Sequence, residues 1–454
     1  ELPLEDCMEA IIDYRGKTPK KTTSGVPLIT AKIIKGGSIQ PVTEFIAEDD
    51  YETWMRRGIP NPGDIVMTTE APLGEVAQLD DRKVALAQRV ITLRGKPGLL
   101  DNTFLKYLLS SHRIQHQLEG RATGTTVKGI KQSELRRVVL NFPSFDEQKA
   151  IAHILGTLDD KIVLNRQMNT TLEAMAQALF KSWFVDFDPV IDNALATGNP
   201  IPESLNARAE ARKALGDQRN PLPDAIQEQF PDRFVFNEDM GWVPEGWEVE
   251  PLKALTTKIG SGATPRGGSQ VYQEEGTTLI RSQNVYDSSF VWEGLAHISE
   301  DAANQLKGVT VQTDDVLLNI TGASILRTCV VDPQVLPARV NQHVAIIRAR
   351  ESIPPRFLHI HLLQRKTKDL LLGQNAGASR EAVTKGHIEA VSTLVPNKDV
   401  LQKFNLFTDP LFQKKNKLTG EIRVLASLRE TLLPKLLSGQ LPIPDAEKQL
   451  AEAI

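Results

Sequence analysis

Apolar side chains recur at Leu411, Leu418, Leu425 and Leu432, seven positions apart, with Ile422 and Leu436 at the complementary three/four spacing. This is an apolar seam of coiled-coil type. An earlier segment repeats it, with Leu158, Leu172 and Leu179 on one register and Leu155, Ile162, Ala176 and Trp183 on the other. Asn165 and Asn169 interrupt that first seam, and buried polar residues there fix register at some cost in stability. About 35 helical residues make a rod of roughly 50 Å, longer than a helix needs to cover its own domain. The pattern therefore predicts two rods packed against each other, rather than two amphipathic helices each lying on a separate domain. Pro410 is expected to delay the start of the second rod.

Before each rod the pattern changes to short apolar runs bounded by turn residues, and these runs recur in the same order. "PLIT" with Lys32 is matched by "TLIRSQNV" (278–285), and "NPGDIVMTT" (61–69) by "QTDDVLLNI" (312–320). "AQRVITLR" (87–94) is matched by "NQHVAIIRAR" (341–350), and "NTFLKYLLSS" (102–111) by "PRFLHIHLLQ" (355–364). "GTTVKGIKQSELRRVVLNFP" (124–143) pairs with "GASREAVTKGHIEAVSTLVP" (377–396), with Gly124 on Gly377 and Pro143 on Pro396. The Gly-x-Thr-Pro turns in "RGKTP" (15–19) and "SGATP" (261–265) mark one position of this duplicated domain. Residues 188–248 separate the halves, rich in Pro, Ala and acids; a short helix is expected around 203–215, and "WVPEGWEVEPL" opens the second globular unit.

A chain of 454 residues with 41% hydrophobic and 24% charged positions is long enough for two or three domains with cores of their own. Cys7 and Cys329 stand far apart, which excludes a disulfide framework and a CxxC zinc site. No apolar run approaches the roughly 18 residues of a bilayer span, and no basic-then-apolar secretory leader is present, so no membrane and a cytoplasmic location are expected. The net charge of −4 does not by itself suggest nucleic acid, but its distribution is uneven. Six cations and no acid lie between Arg15 and Lys35, whereas 201–250 holds eleven acids against five bases.

Catalytic signatures are absent: the chain has no GxxxxGK[ST], GxGxxG, HExxH or GxSxG, and "NFPSF" is not the Asn-Pro-Pro-aromatic tetrad of amino-methyltransferases. His359 and His361 are read as packing or surface residues sharing one face of a helix or strand, with no metal site. What remains is a set of basic and amide residues at matching places of both repeats. Lys and Arg neutralise phosphates, and Asn, Gln and Arg present paired hydrogen bonds to base edges. The first repeat offers Arg15, Lys17, Lys20, Lys21, Lys32, Lys35, Arg121, Lys128 and Lys131; the second offers Arg266, Arg281, Gln283, Asn284, Arg380 and Lys385. As a set these are expected to bind double-stranded DNA. The alternative is a non-DNA adaptor or scaffold with duplicated binding domains.

"GKTP", "PEGWEVEPL", "GTTVKGIKQSEL", "FPSFDEQKAIAHILGTLDDKI", "LEAMAQALFKSWFVDFDPV" and the C-terminal "LRETLLPKLLSGQL" resemble the specificity subunit of type I restriction-modification systems. The likeness covers nearly the whole chain. The second repeat departs from it, reading "NKDVLQKFNLFTDPLF" where the first has "SFDEQKAIAHILGTL".

The resemblance implies an α/β (α+β) fold: two similar target-recognition domains separated by two long antiparallel coiled-coil helices in pseudo-twofold arrangement. Placed on the chain, these are target-recognition domain 1 (1–147), a central helix (148–187), a linker (188–243), target-recognition domain 2 (244–400) and a C-terminal helix and tail (401–454). Helix-pair packing falls on Leu158, Ile162, Leu172, Leu179, Leu411, Leu418, Leu425 and Leu432. The resemblance further implies a non-catalytic subunit that reads a bipartite DNA site, two modification (methyltransferase) subunits that carry S-adenosylmethionine, and restriction (motor-nuclease) subunits. No cofactor is then bound by this chain directly.

Overall fold

The computed structural model describes residues 1–14, 18–124, 127–218, 222–373 and 382–454, with the backbone alone at 217, 268 and 269. The chain forms two compact units: unit 1 is Glu1–Arg166 with Thr419–Ile454, and unit 2 is Gln167–Leu418.

The duplication seen in the sequence is one topology drawn twice. In unit 1, strands β1 (Met8–Asp13), β2 (Ile65–Thr69), β3 (Leu73–Gln78) and β4 (Val90–Gly95) form an antiparallel sheet in the order β1-β4-β2-β3. In unit 2, β5 (Thr256–Ser261), β6 (Val316–Asn319), β7 (Thr328–Val330) and β8 (Val344–Ala349) take the order β5-β8-β6-β7. The registers agree as well: Val90 lies opposite Thr68, and Val344 opposite Asn319.

These strands read as continuous apolar runs because both faces of each sheet are covered. Ile65, Met67, Ile91 and Leu93 enter a core shared with helices, whereas Val66, Ala77 and Val90 point into a second core beneath the strand Val26–Ile29. Unit 2 divides the same way, with Val316, Leu318, Ala345 and Ile347 on one side and Leu317, Val344 and Ile346 on the other. The period of two sets this alternation.

The two rods are helices α1 (Phe145–Phe184) and α2 (Lys398–Leu437), each 40 residues and so about 60 Å long. Ser144 starts α1 with a capping box: its backbone N–H donates to Glu147 Oε2 at 3.1 Å, and the Glu147 N–H donates to Ser144 Oγ at 3.5 Å. The Ser144 hydroxyl, donating to Glu147 Oε2 at 2.6 Å, and then the Ser144 N–H hold the Glu147 carboxyl below its ordinary pKa. At α2 the Asn397 side chain accepts from the Val400 N–H at 2.9 Å. Helix α2 therefore begins twelve residues before Pro410, not after it. Pro410 and Leu406 are both exposed, so the i to i−4 hydrogen bond that proline removes is lost on a solvent-exposed face of the helix, where the cost is least.

Within each unit the two helix segments run antiparallel. In unit 1, Asn165 Nδ2 donates to Glu421 Oε2 at 3.2 Å while Arg429 pairs with Asp159 at 2.7 Å. In unit 2, Glu173 pairs with Lys415 at 2.7 Å, and Phe180 and Phe184 pack on Phe404. The expected seam is buried at Leu158, Ile162, Leu172, Leu418, Leu425 and Leu432; Leu179 and Leu411 are partly buried against the unit 2 core. Asn165 is buried as the interrupted seam requires, with Glu421 as its partner.

The stretch expected to be a linker is built into unit 2. Val190, Ile226, Phe230 and Val243 belong to its core, and Arg208 holds Asp188 through two bonds of 2.7 and 2.6 Å. The short helix anticipated there is present as Asn206–Ala214. His359 and His361 lie on the helix Pro355–Leu363, where two positions turn about 200°. They do not share a face: His359 is buried beside Phe412, and His361 approaches the Thr393 hydroxyl at 3.3 Å. Both cysteines are buried free thiols. Among the described residues no cluster of His, Cys, Asp and Glu could hold a metal, and no helix is long and apolar enough to cross a membrane.

Candidate nucleic-acid interface

Each central sheet is locked at one end by a buried ion pair. Asp64, at the turn entering β2, accepts the Asn61 N–H at 2.8 Å and two bonds from Arg94 of β4, both at 2.8 Å. Asp315 does the same in unit 2, accepting from the Gln312 N–H at 2.7 Å and from Arg348 at 2.7 and 2.8 Å. At the other end, the strands deliver their last residues to a loop.

In unit 1 that loop includes the described residues 127–131. The backbone at Gly129 bridges to Glu70 and Thr123, and the Ile130 N–H donates to the Thr69 carbonyl at 3.0 Å. The approach is close: a Cβ at Gly129 would stand 3.2 Å from the Glu70 side chain, which would have to shift to make room. The loop and strand ends enclose a groove of about 350 Å³ whose lining includes Glu70, Gln88, Arg89, Thr123 and Lys131. Arg89 and Glu70 form an exposed ion pair at 2.8 Å within it.

The predicted cations divide by environment. Lys20, Lys32, Lys35, Lys128 and Lys131 are exposed in unit 1, and Lys131 lies in the groove. Lys21 is paired with Glu44 at 2.8 Å, and Arg121 caps its own helix through the Gln117 carbonyl at 3.4 Å. In unit 2, Arg266 and Lys385 are exposed, the latter 3.6 Å from Glu389 one helical turn away. Arg15, Lys17 and Arg380 lie outside the described residues.

Asn284 is a correction. It is 0% exposed, and its amide is consumed by the backbone: Oδ1 accepts from the Arg281 N–H at 3.0 Å, and Nδ2 donates to the Val291 and Glu293 carbonyls at 2.9 and 3.3 Å. It has no base-reading edge to offer and instead shapes the loop. Arg281 and Gln283 both donate to the Gly294 carbonyl, at 2.5 and 3.2 Å, and Gln283 alone of the three is exposed. Sequence reasoning passed over Glu70, Gln88 and Arg89. Their signal was the polar dipeptide that opens the paired blocks, Gln88-Arg89 in one and Gln342-His343 in the other.

Behind the sheets, buried charges fasten each unit to its helix pair. Asp159 of α1 accepts from Lys106, Tyr107 and Arg429, each at 2.7 Å. Burial pushes the Asp159 carboxyl up, but Lys106 and Arg429 outweigh it and hold the pKa below the ordinary value. In unit 2, burial pushes His359 down to about 4, so it is neutral beside Glu173 and Lys415.

Residues 7–174 match the family model of the type I restriction modification DNA specificity domain. Over 386 residues the chain is 28% identical to the type I restriction enzyme HindI specificity subunit of Haemophilus influenzae, covering 80% of this chain and 82% of that one. The MjaIX specificity subunit of Methanocaldococcus jannaschii is 25% identical over 388 residues, 84% of this chain and 78% of that one. The crystal structure of a type I restriction-modification system S subunit from M. genitalium shares the fold, with a TM-score of 0.55 at 16% identity over 96% of this chain and 95% of that one. With the duplicated unit and the 40-residue helices, these likenesses make the chain similar along most of its length to the DNA-specificity subunits of type I restriction-modification systems.

Proposed function

We propose that each unit takes one half of a bipartite DNA site and that the length of α1 and α2 sets the gap between the halves. The observation that carries this reading is the repetition of one frame, strand order and register included, with exposed cations beside its loops in both copies. Lys20, Lys32, Lys35, Lys128 and Lys131 in unit 1, and Arg266 and Lys385 in unit 2, hold the phosphate backbone; base choice is made by polar groups between them. The subunit itself catalyses nothing. Two modification subunits bring S-adenosylmethionine, and restriction subunits complete the complex. The adaptor reading is not favoured.

The test is a change of length. Two reading heads on a stiff spacer engage the duplex only where their separation matches its rise and phase. Deleting residues 170–173, one turn of α1, is expected to alter the spacer of the methylated motif or abolish binding in randomised duplexes. An unchanged bipartite site defeats the proposal.

A further inference from the structure

Two copies of one fold that read different half-sites must differ somewhere that the fold does not fix. The repeat supplies its own comparison for finding that place. Thr69 N–H donates to the Arg89 carbonyl at 3.0 Å, and Ile320 N–H to the His343 carbonyl at 3.0 Å. The loop then returns to the same point in each unit: Ile130 N–H to Thr69 O at 3.0 Å, Val383 N–H to Ile320 O at 2.9 Å. Glu70 bridges Gly129 where Thr321 bridges Ala382. So Glu70 corresponds to Thr321, and Arg89 to His343, at positions held by matching backbone hydrogen bonds and bridges.

At this position the two side chains within each unit touch, but the chemistry of the pair differs from one unit to the other. Unit 1 has the Glu70–Arg89 ion pair, 2.8 Å between Oε1 and Nε; unit 2 has Thr321 Oγ1 against His343 Nδ1 at 2.6 Å. The buried Asp64–Arg94 and Asp315–Arg348 pairs behave oppositely, keeping their residue types in both copies, as a structural lock should. Neither variable pair is buried, and in unit 1 it lines the groove with the exposed Lys131.

The Gly-x-Thr-Pro turn finds its use here. Gly262 lies so close to the Val340 carbonyl that a Cβ would stand 1.9 Å from its oxygen, so only glycine lets the turn press onto this strand end. Thr264 thereby reaches Gln342, donating its hydroxyl to Oε1. The Gln342 amide donates to His343 Nε2 at 3.1 Å, which leaves Nδ1–H to donate to Thr321. Thr321 is left with a hydroxyl proton and a methyl group to present. In unit 1 the Glu70 carboxylate engages Nε of Arg89, and a guanidinium oriented in this way carries two terminal amino groups suited to the O6 and N7 acceptors of guanine.

We propose that Glu70–Arg89 in unit 1 and Thr321–His343 in unit 2 are the specificity-determining pairs of the two half-sites, with Arg89 requiring a guanine. The inference rests on the DNA-reading function argued above. It assigns base choice to the strand-end pairs, and the surrounding lysines serve affinity.

The experiment is to assemble the chain with its modification subunits in cells lacking other methyltransferases and to map methylated sites genome-wide by single-molecule sequencing. Arg89→Lys keeps the charge but loses the planar fork. It is expected to raise methylation of sites carrying another base at one position of one half-site by about 10-fold relative to wild type, with the other half and the spacer unchanged. Glu70→Gln is expected to disturb that same position and gives a second reading should Arg89→Lys assemble poorly. Thr321→Val and His343→Gln are expected to act only in the other half-site. Identical motifs for wild type and variants overturn the assignment, as does a uniform loss over all sites, which marks a phosphate contact. If the wild-type complex itself shows no bipartite motif, the underlying function fails instead.

Discussion

Arg94 grips both carboxylate oxygens of Asp64 at 2.8 Å, its partner being only 1% exposed. The pair joins β4 to the turn that starts β2, and through these strands it fixes the far end where Glu70 and Arg89 stand. Removing one partner strands the other charge in a dry place. Asp64→Ala is expected to cost unit 1 about 3 kcal/mol in urea unfolding, and adding Arg94→Met is expected to restore part of it. A double variant no more stable than the single one would contradict this account.

Asp159 anchors unit 1 to both of its helix segments through Lys106, Tyr107 and Arg429. Its pKa is lowered in the folded state, so its contribution is present above the ordinary carboxylate range and is lost as pH falls through the lowered value. Asp159→Asn should therefore reduce stability at pH 7 and flatten the acid limb of a melting-temperature profile.

His359 works at a higher pH. Its folded pKa of about 4 lies below the 6.5 of an exposed histidine, so between these values the unfolded chain binds the extra proton. Stability of unit 2 is expected to fall by roughly 3 kcal/mol as pH drops across that window. Burial pushes His361 down to about 4 as well, so His359→Gln should remove only its own share of the slope and leave that of His361, measurable as urea midpoints from pH 7 to 4.

Asn284→Ala leaves the Val291 and Glu293 carbonyls without their donor. A cost of about 2 kcal/mol in unit 2 is expected, with the methylated motif unchanged. A relaxed base preference in a variant of full stability would return Asn284 to the base readers.

Lys128→Ala with Lys131→Ala removes an exposed cation that lines the groove, Lys131, and a second exposed cation on the same loop. Binding should weaken on every sequence alike, and the slope of log K against log salt should shrink by about 2. Weakening confined to one base sequence would place these lysines among the base readers.

The letters alone carried the duplication, the two helices and the absence of catalytic signatures, because these depend on periodicity and order. A seven-residue seam such as Leu411–Leu432 and a run such as "IVMTT" are local patterns, and burial selects them locally. Tertiary structure alone decided which polar residues face solvent. Asn284 and Gln283 are neighbours of similar chemistry, yet one amide is spent inside the loop and the other is exposed. Pro410 looked like a barrier until the fold put it on an exposed face of a continuous helix. Glu70 and Arg89 became a pair only when β2 and β4 were placed side by side, since hydrogen-bonded strands bring together residues that no spacing along the chain connects.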